Sequence, residues 1–231
     1  MKKVFACLAL CVALFALPAM ADIVIGNPPD PGTGNCFPWG CAYNAEYQQV
    51  YAAADFSGPI TITNLEFYNT QFNNGATQLP TGTYTISLST TQVGVNTITG
   101  NFAGNLGGDN TQVFSGSINQ PWSFGNTLVI NLSTPFTYNP ANGNLLMDVM
   151  GTNVAIVDNN TYFDVNSTNG TIFTRVYCPS GIACGNNGTV MVGYGLVTGF
   201  STGVATPEPG TLVMLGTGLL GAVGAIRRRL L

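Results

Sequence analysis

Any chemistry in this chain must be done without histidine, because the sequence contains none. Ser-His-Asp and Cys-His relays in their usual forms are therefore excluded. A pair of carboxylates remains as a route to acid–base work, since a glycosidase needs only two acids held across a sugar bond. Between the two ends of the chain the only glutamates are Glu46 and Glu66. They are the pair that a carboxylate-dependent glycoside hydrolase would use. The segment Asp158-Asn159-Asn160-Thr161-Tyr162-Phe163-Asp164 gathers carboxylate and amide oxygens in one short stretch. Asp158, Asn160 and Asp164 are thus candidate calcium ligands, although the glycine and terminal glutamate of an EF-hand loop are missing. The same residue types also form ordinary Asn-rich turns. Trp39 lies between Cys36 and Cys41, flanked by Pro38 and Gly40, and Tyr43 follows the second cysteine. A rigid loop presenting Trp39 beside Tyr43 could stack sugar rings, with Trp122, after Pro121, as a second platform. The alternative is that each Trp caps the core, where its large area contributes most. Arg175 is expected to pair with a carboxylate on a neighbouring strand.

Cys7 and Cys11 fall in an N-terminal apolar run, which leaves Cys36, Cys41, Cys178 and Cys184. Four cysteines allow three pairings. The close pairs enclose short loops rich in Pro and Gly, so Cys36–Cys41 and Cys178–Cys184 are the expected disulfides, formed in an oxidising compartment. The competing use is a metal site. It would need all four thiols at C-x4-C and C-x5-C spacings rather than the C-x2-C of zinc sites.

Charged residues make up only 7% of the chain. From Asp22 to Thr206 nine acids face the single base Arg175, a net of −8. Such a surface repels phosphate backbones and anionic lipid, which excludes nucleic acid as a partner. The abundant Asn, Thr, Gly and Ser solvate the surface without large charge fields. Aliphatic and aromatic residues alternate with them, unlike the composition of disorder.

The pattern that must hold these residues is one of short alternating runs. Tyr84, Ile86 and Leu88 point one way while Thr83, Thr85 and Ser87 point the other. Tyr43, Tyr47 and Tyr51 are spaced to share one face of a short helix, but the aromatic and β-branched content of the segment favours a strand, and a shift of one between Ile62 and Leu65 predicts a bulge at Asn64. Further strands are expected over 97–102, 112–118, 127–132, 144–150, 153–158, 171–177 and 189–197. Asn74-Gly75, Gly107-Gly108-Asp109 and Asn169-Gly170 are among the turn signals between runs. Eight to ten strands at this spacing predict an all-β fold, an antiparallel β-sandwich of jelly-roll character.

The two ends differ from this body. Lys2 and Lys3, the apolar run Val4 to Leu17 and Ala19-Met20-Ala21 form a secretory signal peptide cut before Asp22. At the other end Pro207-Glu208-Pro209 precedes an apolar run, Thr211 to Ile226, and Arg227-Arg228-Arg229. The prolines keep the approach extended. The run reads as a single transmembrane helix, and the arginines hold its tail on the cytoplasmic side. The domain plan is a signal peptide at 1–21, an irregular lead-in at 22–35, a β-domain at 36–200, a stem at 201–210, and an anchor with its Arg-rich tail at 211–231.

The order Pro-Glu-Pro, apolar segment, arginine cluster resembles the PEP-CTERM sorting signal of bacterial exopolysaccharide-associated proteins, over residues 205–231. The resemblance implies Sec-type export, a transient stay in the inner membrane, processing by an exosortase-type membrane peptidase, and release to the cell surface or extracellular matrix. The expected role is structural or adhesive in exopolysaccharide or biofilm, non-enzymatic and without a cofactor, calcium being the one ion considered. A carbohydrate-binding module built on Trp39 and Tyr43 is the first rival, and a carboxylate hydrolase the second.

Overall fold

The computed structural model describes residues 22–167, 170–178 and 187–202. Its strand pairings are all antiparallel. One sheet has four strands in the order β1 (Ile23–Ile25), β12 (Thr198–Thr202), β3 (Ile60–Tyr68) and β6 (Thr127–Tyr138). The other has six in the order β10 (Thr189–Val192), β9 (Phe173–Tyr177), β2 (Glu46–Tyr51), β7 (Asn144–Ala155), β4 (Thr81–Thr91) and β5 (Thr111–Gly116). A two-stranded ribbon pairs β11 (Tyr194–Leu196) with β8 (Val165–Ser167).

Period-two alternation decides which side chains fill the space between the sheets. Tyr47 and Tyr51 on β2, Tyr84, Ile86 and Leu88 on β4, and Leu65 and Phe67 on β3 are all buried in one cluster with Ile130 and Phe200. The sheets meet directly there. Tyr51 of β2 packs edge-on to Phe200 of β12 at 5.0 Å, and its hydroxyl bonds Thr198 Oγ1 at 2.9 Å. The register of β3 against β6 shifts between Ile62 and Asn64, the irregularity expected from the displaced hydrophobic pattern.

A second, smaller cluster lies on the opposite face of the six-stranded sheet. Val50, Leu146 and Val176 are covered there by Ile98 and Phe102. These belong to a flap, residues 92–108, that contains the short helix α1 (Phe102–Asn105). A strand was expected at 97–102. The segment folds as turns because its small polar residues satisfy the backbone locally. Thr97 and Ile98 N–H both donate to the Gly94 carbonyl, and the Asn101 side chain caps Gly104 N–H.

Three other boundaries differ from expectation. The 22–35 lead-in is not wholly irregular: its β1 pairs with β12, and Asn35 forms a bridge with Phe163. The runs 144–150 and 153–158 are largely one strand, β7. Asn153 takes φ 54°, and a register shift between Thr81 and Thr83 absorbs the irregularity opposite it. The run 189–197 splits into β10 and β11 at Gly193, whose φ of 69° suits glycine.

The signal peptide at 1–21, the stem beyond Thr202, the apolar run and its arginines lie outside the described residues. Among the described residues no helix is long and apolar enough to cross a membrane.

Candidate functional site

The Cys36–Cys41 loop is closed by a disulfide with Cα atoms 5.3 Å apart. Gly40 is required at its base, since a Cβ there would lie 1.8 Å from the Thr161 carbonyl oxygen. The loop turns Trp39 inward, not outward. Trp39 is 0% exposed and packs on Phe67 at 5.0 Å and Tyr84 at 5.4 Å. Tyr43 is equally buried; its hydroxyl donates to the Glu46 carbonyl and accepts from Cys178 N–H. Burial pushes its pKa up. The rival sugar platform of Trp39 and Tyr43 is overturned, because neither ring presents a face to solvent, and Trp39 fills the core as the alternative reading had it. Trp122 is also buried, against Phe163. Cys178 is disulfide-bonded; Cys184 lies outside the described residues.

What the loop offers outward is Phe37. This half-buried ring packs on Tyr43 at 4.6 Å and stacks on Tyr177 at 5.5 Å. The row continues along the inner face of β9. The guanidinium of Arg175 lies 4.7 Å from the Tyr177 ring centre and 4.4 Å from that of Tyr194, which the β8–β11 ribbon supplies. Phe37, Tyr177, Arg175 and Tyr194 thus form one strip. The salt bridge expected for Arg175 is replaced by two cation–π contacts. Its register explains this: Arg175 sits opposite Gln49 on β2 and Met191 on β10, and neither is acidic. Gln49 is fully committed elsewhere, accepting from Leu196 N–H and Tyr47 O–H and donating to the Leu196 carbonyl.

Glu46 and Glu66 do not converge. Glu46 shares the outer face of the six-stranded sheet with Gln48 and Val50, while Glu66 lies on the outer face of the four-stranded sheet, where Tyr68 and Ser201 hydroxyls donate to it. The whole core separates them, so they cannot flank one bond. Glu46 meets Asp148 instead. Glu46 faces Met150 and Gln48 faces Asp148 across the β2–β7 ladder, which makes the two acids diagonal neighbours on one face. Burial, and next the charge of Asp148, raise Glu46 to about 7. Burial also raises Asp148, partly offset by hydrogen bonds from Gln48 and Glu46. The two acids are far apart in sequence, so no local motif could have signalled them. The flap is tied to the same spot: Gln48 donates to the Phe102 carbonyl and accepts from Asn105.

The calcium candidates are engaged by protein donors. Asp158 accepts from Thr77 N–H and O–H, and Asp164 accepts from Thr70 N–H, Thr70 O–H and Gln71 N–H. The carboxylates clamp different parts of the 70–77 segment and do not share a centre. Asn160 keeps its side-chain oxygen buried without a hydrogen-bond partner. No cluster of three or more metal-type ligands occurs among the described residues.

The C-terminus carries the clearest assignment. Residues 205–229 match the PEP-CTERM protein-sorting motif, covering Pro207, Glu208, Pro209 and the arginines Arg227, Arg228 and Arg229. No curated protein matches the chain. The motif implies export, membrane anchoring before processing, and an exosortase-type membrane enzyme as processing partner.

Proposed function

We propose that the chain is delivered to the cell surface or extracellular matrix by the Sec pathway and exosortase processing, and serves there as a structural or adhesive protein of exopolysaccharide or biofilm. The observation that carries this reading is the sorting motif at 205–229. The body supports it: a β-rich domain of low charge with a disulfide loop suits an oxidising exterior. We read the two facing sheets as a sandwich of jelly-roll character and the domain as non-catalytic. That reading draws support from the opposite-facing Glu46 and Glu66. Pro207-Glu208-Pro209 is the processing signal, the apolar run the temporary anchor, and the arginines its cytoplasmic stop.

Deleting Pro207 to Pro209 tests the sorting step. The deletion protein is expected to accumulate in the inner membrane with Leu231 still attached, by fractionation and C-terminal mass spectrometry. Normal release of a shortened product from the deletion protein overturns the reading.

A further inference from the structure

Arg175 brings a permanent positive charge into the interior with little to neutralise it. It is 5% exposed, and arginine does not lose its proton under protein conditions. Nη2 donates to Met191 Sδ at 2.9 Å, while Nε and Nη1 are buried without a hydrogen-bond partner. The Tyr47 hydroxyl lies near the guanidinium but completes no hydrogen bond with Nε or Nη1, and it donates to Gln49. A buried cation with unused donors favours an anionic partner, because the aromatic faces offset only part of its lost hydration.

The surroundings narrow the chemistry of that partner. Three half-buried rings, Phe37, Tyr177 and Tyr194, lie in a row with the guanidinium between the last two. The guanidinium occupies faces of Tyr177 and Tyr194, and the solvent-facing parts of these half-buried rings offer apolar contact to the C–H face of a ligand. The net charge of −8 between Asp22 and Thr206 disfavours a dianion such as phosphate, so one guanidinium matches one negative charge. We propose that the Phe37–Tyr177–Arg175–Tyr194 strip binds a carboxylate-bearing sugar ring, with the carboxylate on Arg175 and the ring against the tyrosines. Tyr177 and Tyr194 must part slightly to admit the carboxylate. This deepens the extracellular role proposed above by naming a ligand class, and rests on that reading only in placing the ligand outside the cell.

The full chain is titrated calorimetrically with monomeric galacturonate, which carries one negative charge, and with its methyl ester. The acid is expected to bind about tenfold or more tightly than the ester, with an advantage that shrinks as salt rises. Arg175→Met is expected to abolish that preference, and Tyr177→Leu to weaken both ligands. Equal binding of acid and ester, or binding of neither, overturns the proposal. So does equal competition by poly-aspartate, which would make the strip a peptide site. Should Arg175→Met fail to fold, the acid-to-ester ratio of the unaltered protein decides alone. A sorting failure appears in cell fractionation and not in this ratio, so the two readings fail separately.

Discussion

The two faces of the six-stranded sheet are built by the same strands and solve the burial of polar groups in different ways. On β2 the residues Tyr47, Gln49 and Tyr51 face the other sheet, and Glu46, Gln48 and Val50 face the flap. The inner face is closed by a second sheet and by large rings. Its amide, Gln49, is matched donor for acceptor with the Leu196 backbone. Among the described residues the outer face is closed by turns and the four-residue helix α1. There two carboxyls lie as diagonal neighbours beside an amide that holds the flap. A face covered by a sheet can be sealed with permanent contacts. A face covered by a flap depends on side-chain hydrogen bonds, and here Glu46 and Asp148 beside them add a dependence on pH.

The largest expected effect tests the inner face. Trp39→Ala removes a fully buried ring packed on Phe67 and Tyr84 and should cost about 3–5 kcal/mol in urea unfolding. Phe102→Ala, in the flap, should instead loosen hydrogen-exchange protection at 92–108 more than it lowers global stability. Equal global losses for both would erase the distinction between the faces. Replacing Cys36 and Cys41 together by Ala should cost about 2 kcal/mol, a short loop's share of unfolded-state entropy. Reduced and oxidised protein compared by thermal melts give a larger difference, because reduction also opens the disulfide of Cys178.

The outer face should be sharpened by pH. Glu46 has a folded pKa of about 7, above its ordinary value of 4.5. The folded state therefore holds the proton longer than the unfolded one, and stability falls as pH rises from about 4.5 to 7, then levels. After allowing for solvent screening at a half-buried site, the loss is about 1–2 kcal/mol. Glu46→Gln should flatten that slope; an unchanged slope would remove the pair as its cause. The smallest effect is expected at Asp158. Its exposed carboxylate is held below the usual range by Thr77, so its contribution is lost as pH falls through the folded value. Asp158→Asn should shift the melting temperature only slightly and should abolish that acid-side dependence.

Much of the fold was legible because alternation is a local property. The inward set Tyr84, Ile86 and Leu88, the strand from Glu46 to Tyr51 and the bulge near Asn64 each follow from residues within one segment. The flap was misread because 97–102 carries β-branched residues whose Thr and Asn side chains turn the backbone instead. Trp39 was ambiguous for a related reason. A Pro/Gly loop fixes where a ring sits along the chain but not which way the closed loop faces.

The order of residues alone determined the sorting motif, the near absence of cations, the lack of histidine and the two-residue rhythm of the strands, because each is read along the chain without knowing what lies across from it. Tertiary structure alone decided that Glu46 meets Asp148 and not Glu66, that Trp39 is core, and that Arg175 lies between two tyrosine rings. Those partnerships join strands separated by long stretches of sequence. Only strand register and sheet packing determine which side chains end up within reach of one another.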